Sequence, residues 1–170
     1  TAKKSVVISV MDYLPLDIYS EQKRFWGDID DALRAAVVRN VTVRMLISKW
    51  IHTTPAQVPV LDSLNTMGKI CQYAHVGKGN STWCTGSLEV RSFIIPDAHG
   101  YEPYPFTRVN HAKYMVSETT AYISTSNWSF DYFYKTAGIS FVSSHEHLRE
   151  KVLGIFDRDW NSEYAHPIVE

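Results

Sequence analysis

Two short polar stretches of this sequence carry side chains that are able to transfer a phosphoryl group. They contain six such residues: His111, Lys113 and Glu118 in the first stretch, and Thr125, Ser126 and Asn127 in the second. An imidazole can attack phosphorus or carry a proton, while an ammonium, a hydroxyl and a carboxamide can donate hydrogen bonds to phosphoryl oxygens. The two stretches lack the cluster of carboxylates that suits a divalent metal ion. The residue types therefore favour phosphodiester transfer without a metal ion.

The spacing of these residues predicts that four of them share one face of a β-hairpin. Strands are expected at Val109–Val116 and Ala121–Ser126, and residues two apart on a strand point to the same side. If residue 113 pairs with residue 125, residue 111 pairs with residue 127, and the four side chains form a square. The turn is then centred on residue 119, and Glu118 lies beside it and points away. A register shifted by one residue would put the two pairs on opposite faces.

Hydrophobic periodicity places this hairpin in an α/β fold with a mixed β-sheet sandwiched by helices. β-branched or alternating runs predict further strands, and apolar residues at three-and-four spacing predict helices. The predicted strands are Ser5–Met11, Val41–Ser48, Leu88–Ile95 and Ala137–Val142, and the predicted helices are Lys23–Arg39, Pro55–Met67 and Glu146–Trp160. The first strand, helix and second strand predict a parallel pair with a right-handed crossover. Residues 15–21 then form a loop at the carboxyl end of a strand, where open α/β sheets bind ligands.

Length and composition limit the classes of protein to which the chain can belong. Its 170 residues predict a single lobe over residues 1–170, and its 17 Lys and Arg against 18 Asp and Glu give a net charge of −1. Because a protein that grips many duplex phosphates is normally strongly basic, any contact with nucleic acid must be local. No apolar run approaches the roughly 20 residues of a membrane span. The start at Thr1, without Met or a hydrophobic leader, indicates a processed or excised piece.

Cysteine and asparagine patterns point to the secretory pathway. Cys71 and Cys84 bracket a polar stretch, which predicts a surface insert at residues 71–84 closed by a disulfide. The alternatives are two free thiols, or thiols paired with chain that this sequence does not include. Asn-x-Ser/Thr triplets, the acceptor pattern for N-glycans, begin at Asn40, Asn80 and Asn127. We expect glycans at Asn40 and Asn80, and a phosphate contact at Asn127, because that residue would point into the site.

Aromatic residues near the polar stretches have two interpretations. Four follow the second stretch: Trp128, Tyr132, Phe133 and Tyr134. They either stack on the bases of a single strand or seal the core between sheet and helix. Similarly, Lys49, Trp50 and His52 follow the second predicted strand, either at the rim of the cleft or on ordinary surface.

The two polar stretches resemble a known catalytic signature. His111-x-Lys113 with four residues before Glu118, followed by Thr125-Ser126-Asn127, is similar to the His-x-Lys-x4-Asp and Gly-Ser-x-Asn motifs of the phospholipase D superfamily. Further segments resemble the C-terminal half of endolysosomal phospholipase D family members three and four, namely Met11–Pro15, Val43–Ser48, Arg108–Val116, Thr136–Gly138 and Arg158–Trp160. The resemblance extends over nearly the whole chain apart from the insert at residues 71–84.

This resemblance implies a metal-independent phosphodiesterase that needs no cofactor and in which two such motifs meet at one site. The first stretch would supply the catalytic residues, and the second would bind phosphate. One histidine forms a phosphohistidine, and the other protonates the leaving oxygen and later activates water. Since this sequence holds one motif, the second would come from a missing N-terminal half or from a second copy of the chain.

The substrate that the resemblance implies is single-stranded DNA or RNA, cut by a 5′-to-3′ exonuclease in the endolysosomal lumen or after secretion. Two alternatives stay open: phospholipid hydrolysis or transfer, and a non-catalytic remnant of the fold. Any membrane anchor of the parent protein would lie outside this piece. Three departures from the family pattern bear on the site: Glu118 for Asp, Ser124 for Gly, and Thr136 for a carboxylate that orients a catalytic His. The last departure favours a proton-transfer role for His111.

Overall fold

The computed structural model describes residues 2–17, 19, 21, 24–73, 83–96 and 105–168. Its strands are β1 (Ser5–Val10), β2 (Tyr13–Leu14), β3 (Thr42–Ser48), β4 (Ser87–Phe93), β5 (Lys113–Ser117), β6 (Ala121–Ser124), β7 (Trp128–Ser129), β8 (Ser140–Ser143) and β9 (Ala165–Pro167). Its helices are α1 (Asp28–Val38), α2 (Gln57–Met67), α3 (Ile70–Tyr73), α4 (Phe130–Tyr134) and α5 (Glu146–Trp160).

Seven strands form the main sheet, in the order β8-β6-β5-β1-β3-β4-β9. The neighbours β1, β3 and β4 are parallel, and the other pairings are antiparallel. The prediction of an α/β fold with a mixed sheet is therefore confirmed. A separate parallel pair joins β2 to β7, with Tyr13 opposite Trp128. Because β5 runs against β1, it begins at the edge of the sheet where β1 ends.

Each face of the main sheet buries an apolar layer under helices. Side chains alternate along β1, so Ile8 packs with Leu33 of α1 and Leu64 of α2, while Val7 faces Phe156 of α5. Every one of these side chains is at least nine-tenths buried. The polar residues that flank the strands are consequently held at the edge of a rigid sheet.

The predicted hairpin register is wrong by one residue. The structure pairs Tyr114 with Ile123 and Val116 with Ala121, so the turn is centred between residues 118 and 119 instead of on residue 119. The physical reason is the side chain of Ser117, whose hydroxyl accepts hydrogen bonds from the N–H groups of residues 119 and 120 at 3.3 and 3.1 Å. It closes a two-residue turn, which sequence spacing does not reveal. The predicted strands also extend too far, since β5 begins at Lys113 and β6 ends at Ser124.

Two further predictions meet different outcomes. Helix α1 begins at Asp28, five residues after the predicted start, because Phe25 instead forms a β-bridge with Leu16. The disulfide between Cys71 and Cys84 is confirmed, although residues 74–82 of the insert lie outside the described residues. Within the described ranges, no helix has the length and apolarity needed to cross a membrane.

Candidate active site

Hydrogen bonds hold the segment before β5, residues 110–112, next to the ends of β1 and β3. The N–H of Met11 donates to the carbonyl of Ala112 at 2.9 Å, and the hydroxyl of Ser48 donates to the carbonyl of Asn110 at 2.5 Å. The side chain of Asn110 in turn donates to the hydroxyl of Ser9 at 3.3 Å. These bonds hold residues 110–112 at the carboxyl edge of the parallel strands, where open α/β sheets place their ligands.

Lys113 occupies the first position of β5 and is only 5% exposed. Its Nζ donates to the carbonyl of His111 at 3.1 Å and to the sulfur of Met11 at 3.9 Å. Burial lowers the pKa of this ammonium to about 8, although the nearby Asp12 carboxylate acts in the opposite direction. A buried ammonium with neutral hydrogen-bond partners is a strong site for an anion.

His111 lies beside Lys113 at the same edge, with its side chain exposed to solvent. Burial and the positive charge of Lys113 lower the pKa of the imidazole, and Asp12 partly offsets them. A lowered pKa keeps the ring neutral over more of the pH range, which a nucleophile or a general base requires.

Asn127 reaches this edge by a route other than the predicted hairpin. The chain leaves β6 at Ser124 and pairs β7 with β2, so the N–H of Trp128 donates to the carbonyl of Asp12 at 2.9 Å. The carboxamide Nδ2 of Asn127 then donates to Oδ2 of Asp12 at 3.0 Å. Asn127 is 3% exposed, which leaves little room for a glycan.

Asp12 is the site residue that sequence reasoning missed. Its carboxylate bonds to Asn127 and interacts electrostatically with both Lys113 and His111. Burial raises its pKa, while Lys113 and then His111 counteract this effect. Its position directly after a buried strand, at the carboxyl edge of the sheet, was the available signal.

Glu118 lies at the opposite end of β5, in the turn to β6. Its carboxylate accepts hydrogen bonds from the backbone N–H groups of Lys3 at 2.5 Å and Ser5 at 3.2 Å. Burial opposes ionisation of this group, but the backbone N–H groups lower its pKa below the usual value. Glu118 lies five positions after Lys113, which corresponds to about 16 Å along the strand. The structure therefore does not bring Glu118 together with the other residues of its motif.

Thr125 and Ser126 pack against the segment that leads into β8. The hydroxyl of Thr125 accepts a hydrogen bond from the N–H of Ile139 at 3.1 Å and donates to its carbonyl at 3.4 Å. Ser126 is buried, and a Cβ at Gly138 would lie 2.5 Å from its hydroxyl. In the part of the chain that the structure describes, neither hydroxyl bonds to Lys113 or Asn127.

A model of one protein family, described as "PLD3/4, PLD-like domain", matches residues 1–96, which is more than half of the chain. The chain belongs to this PLD3/4 family. The match ends before His111. It therefore rests on the part of the chain that contains β1, β3 and β4, and not on the segment from His111 to Asn127 that resembles the catalytic motifs. It confirms the resemblance that the sequence motifs indicate.

Curated relatives of this PLD3/4-family chain extend the similarity over its whole length. It is 49% identical over 165 residues to "Probable phospholipase D F09G2.8" of Caenorhabditis elegans, covering 96% of the chain and 28% of the relative. It is 43% identical over 169 residues to "Phospholipase D Z" of Dictyostelium discoideum, covering 99% and 36%. It is 41% identical over 169 residues to "5'-3' exonuclease PLD3" of Rattus norvegicus, covering 97% and 32%. The chain thus spans about a third of the length of these relatives.

Solved structures share the fold of the PLD3/4-family chain. NucT from Helicobacter pylori superposes with a TM-score of 0.67 at 12% identity, over 98% of this chain and 83% of NucT. Nuc from Salmonella typhimurium, a phospholipase D family member, superposes with a TM-score of 0.66 at 17% identity, over 100% of this chain and 85% of Nuc. At these identities, the likeness shows the fold alone.

Aromatic side chains follow the strand ends at the site of this PLD3/4-family chain. Trp50 and His52 come after β3, and their rings meet edge-on at 4.7 Å. The His52 ring also stacks on Phe106, which is 71% exposed, at 4.7 Å. On the other side, Tyr19 meets Tyr132 edge-on at 6.3 Å. Burial, Tyr132 and the Asp12 carboxylate together raise the pKa of Tyr19 to about 12.

The remaining predicted positions are distributed as follows. Trp128 is 5% exposed and belongs to the core under α1, whereas Phe133 and Tyr134 are exposed and contact Trp26. Asn40 is exposed after α1, with its side-chain oxygen accepting from the N–H of Thr85 at 2.8 Å. Asn80 lies outside the described residues. Among those that are described, no three His, Cys, Asp or Glu side chains are grouped as a metal ion would need.

Proposed function

We propose that this chain is one lobe of a metal-independent phosphodiesterase of the phospholipase D superfamily. The observation that carries the proposal is the buried Lys113 ammonium beside the solvent-facing His111 and the Asn127 carboxamide, at one sheet edge. A phosphodiester anion at this edge would pair with Lys113 and leave its phosphorus within reach of an imidazole. Membership of the PLD3/4 family supports this assignment.

The reaction divides into two displacements. One neutral histidine nitrogen attacks phosphorus, a P–N bond forms, and the P–O bond to the leaving group breaks. The second histidine gives its proton to the leaving oxygen. That histidine, now neutral, takes a proton from water, whose oxygen attacks phosphorus and releases the first histidine. Lys113 stabilises the charge that develops on the phosphoryl oxygens in both steps.

His111 is the proton-transfer member of this pair in our proposal. Thr136 stands where other lobes of the superfamily place a carboxylate that orients a catalytic His. The exposed position of His111 also suits exchange of protons with solvent. The nucleophile, with the second His-x-Lys motif, would come from the N-terminal half of the parent protein or from a second copy of this chain.

Single-stranded DNA or RNA, cut from the 5′ end, is the substrate we propose. Relatives named "5'-3' exonuclease PLD3" are 40–41% identical to this chain. The exposed rings of Tyr19 and Phe106 could stack on nucleobases, and each stacked base is worth about 1–3 kcal/mol. A net charge of −1 agrees with binding of only a few phosphates, at one end of a nucleic-acid strand.

Phospholipid is the second candidate, and one observation favours it. An apolar groove of about 400 Å³ runs between α1 and the sheet, lined by residues that include Ile8, Ile29, Leu33, Met115, Tyr122 and Trp128. Trp128 follows Asn127 directly, so an acyl chain in this groove would begin close to the site. Relatives of up to 49% identity are named as phospholipase D or probable phospholipase D.

The test uses the full-length parent protein with EDTA present. Cleavage of a 5′-hydroxyl single-stranded oligonucleotide is compared with cleavage of phosphatidylcholine for the wild type, His111→Ala, and His145→Ala as a control at an exposed histidine. We expect oligonucleotide cleavage that His111→Ala lowers by about 100-fold or more, as for loss of a general acid or base. His145→Ala should retain full activity.

The other outcomes each reject part of the proposal. Undiminished cleavage by His111→Ala would reject the catalytic assignment. Cleavage of lipid alone would reject the hypothesis that the protein is a nuclease. Cleavage of neither substrate would indicate a non-catalytic remnant of the fold.

We also propose that the parent protein resides in the endolysosomal lumen or is secreted. The Cys71–Cys84 disulfide supports an oxidising compartment, and the exposed Asn40 triplet is available to a glycan. Enzymatic removal of N-glycans from the secreted parent, compared with Asn40→Gln and Asn80→Gln variants, tests both acceptor positions. An unchanged mass in both variants would reject them.

A further inference from the structure

Strand β8 exposes apolar side chains at one edge of the main sheet. It stands at the end of the strand order, so within the described residues only β6 pairs with it. Ile139, just before β8, is 75% exposed, and Phe141 and Val142 are 57% and 61% exposed. Opposite Phe141, the side chain of Ile123 on β6 is also exposed. These four residues, which we call the β8 patch, form the kind of apolar surface that marks an interaction site.

The path of α5 explains why no helix covers the patch on that face of the sheet. Ile123 shares a face with Ala121, which packs in the layer under α5, and Phe141 pairs with Ile123. Phe141 therefore points to the α5 face. Although α5 begins soon after β8, Asp157 near its end bonds to Arg44 of β3 at 3.0 Å. The helix thus crosses the sheet away from β8 and leaves this corner open.

The opposite edge of the sheet is protected and β8 is not. β9 has three residues and ends at Pro167, which has no N–H to offer to a further strand. β8 has the sequence Ser-Phe-Val-Ser and carries neither proline nor charge. Short edge strands, proline and charge are the usual means by which a sheet edge resists pairing with other chains. The lack of proline and charge in β8 favours an edge that is covered by protein.

The β8 patch borders the candidate active site. Ser140, the first residue of β8, pairs with Ser124 of β6. The register of β5 and β6, continued by one residue, puts Lys113 opposite Ser124, so the main chains of Lys113 and Ser140 lie two strand spacings, or about 10 Å, apart. The carbonyl of Ile139 also accepts from the N–H of Thr125 at 3.1 Å. A protein body that covers the patch would therefore reach the site.

We propose that the β8 patch is the surface on which the N-terminal half of the parent protein docks. The inference rests on the proposed phosphodiesterase function, whose reaction needs a second histidine beside His111. This chain spans about a third of the length of its curated relatives, which leaves room in such a parent for a second lobe of this size. Because both halves belong to one polypeptide, their effective concentration is high, which favours the N-terminal half over a second copy.

The patch residues are positioning residues in this proposal, because they contact the second lobe and not the substrate. The second histidine must lie within bonding distance of the phosphorus held at Lys113. A misplacement of about 1 Å lowers the rate by roughly 100-fold. The docking of the two halves therefore controls the rate without supplying a chemical group.

Hydroxyl-radical footprinting of the full-length parent tests whether the patch is covered. Labelling of each side chain, read by mass spectrometry, is divided by its labelling in the urea-unfolded protein. Phe141 is compared with Tyr73, which is 75% exposed on α3. We expect Phe141 and Ile139 to lose most of the labelling that their exposure in this lobe would give, and Tyr73 to keep it.

A charge in the patch should disturb the docking of the two halves. In the full-length parent with Phe141→Asp, we expect kcat for a 5′-hydroxyl oligonucleotide to fall by about tenfold or more, because the second histidine is displaced. Labelling of Ile139 should increase at the same time, which a change confined to this lobe would not cause. Phe141→Leu, which keeps the patch apolar, should restore most of the activity, and Tyr73→Asp should behave like the wild type.

Several results would overturn the inference. Full labelling of Phe141 in the wild-type parent would show that nothing covers the patch. Protection that appears only as the protein concentration rises would assign the patch to a contact between two copies, and protection that needs phosphatidylcholine vesicles would assign it to a lipid surface. If Phe141→Asp does not fold, the wild-type footprint decides alone. Failure of the proposed function would appear separately, as undiminished cleavage by His111→Ala, and would leave the footprint unchanged.

Discussion

The Lys113 ammonium donates a hydrogen bond to the main-chain carbonyl of His111, 3.1 Å away. The lysine side chain thus folds back over the main chain of His111, whose imidazole is exposed at the same sheet edge. This contact, together with the sulfur of Met11 at 3.9 Å, holds a charge inside the protein with neutral partners. The burial of such a charge lowers the stability of the folded protein. A phosphate anion bound beside the ammonium would offset this loss.

Replacement of Lys113 by Met should therefore separate stability from activity. Lys113→Met has a similar length and no charge. Because burial disfavours the ammonium more than Asp12 favours it, we expect the free energy of unfolding at neutral pH to rise by about 1–3 kcal/mol. Phosphodiesterase activity should fall by about 100-fold or more, because the charge on the phosphoryl oxygens is no longer stabilised. Urea denaturation and steady-state kinetics measure the two effects. A strongly destabilised Lys113→Met protein would contradict this account of the site.

The same ammonium should set an alkaline limit on activity. Its pKa is lowered from 10.5 to about 8 by burial, so the charge that binds phosphate is lost as pH rises through about 8. Because His111, whose pKa lies below its ordinary 6.5, must also carry the proton for the leaving oxygen, we expect kcat/KM to fall first as His111 loses that proton and then more steeply above about pH 8. In Lys113→Arg the charge persists, so any residual activity of this variant should lack the steeper alkaline decline. A steeper decline at the same pH in both proteins would assign it to another group.

The sequence pattern predicts the elements better than the contacts between them. The helix Glu146–Trp160 appears with the predicted bounds, because its apolar stripe is continuous and its ends lie in polar chain. β3 begins one residue after its predicted start and ends as predicted. The start of α1 and the hairpin register depend on local backbone and hydroxyl hydrogen bonds, at Phe25 and Ser117, that hydrophobic periodicity does not encode.

In the candidate site, too, the sequence predicts individual residues better than the contacts between them. His111 and Lys113 lie at the same sheet edge, but His111 precedes β5, so no strand fixes the direction of its side chain, which is exposed while that of Lys113 is buried. Asn127 also lies at this edge, where it bonds to Asp12, although it arrives through the pairing of β2 with β7 and not through the predicted hairpin. The position of Asp12 after a buried strand marks it as a residue of the sheet edge, but its partners lie about 100 residues away in the chain, so no local pattern predicts its contacts.

The hydroxyl of Tyr13 should contribute to stability through one buried hydrogen bond. It donates to Oδ1 of Asp30 at 2.7 Å, and both residues are at least 95% buried. Tyr13→Phe leaves that carboxylate oxygen without its donor, so we expect the free energy of unfolding to fall by about 1–3 kcal/mol. Tyr73→Phe, at a ring that is 75% exposed, is the matched control and should change little. Equal losses in the two variants would show that the Tyr13–Asp30 bond is not the cause.

Two glycine-to-alanine changes should shift stability in opposite directions. A Cβ at Gly86 would overlap the backbone carbonyl of Val37, so Gly86→Ala must push the start of β4 away from the end of α1, and overpacking of this kind costs about 1–3 kcal/mol. A Cβ at Gly154, inside α5, meets no atom within 4 Å. Gly154→Ala should therefore stabilise the protein by about 0.5–1 kcal/mol, because alanine loses less backbone freedom than glycine in a helix. Thermal and urea unfolding of both variants measure the contrast, and a stabilising Gly86→Ala would mean that α1 and β4 do not approach each other as closely as the structure has them.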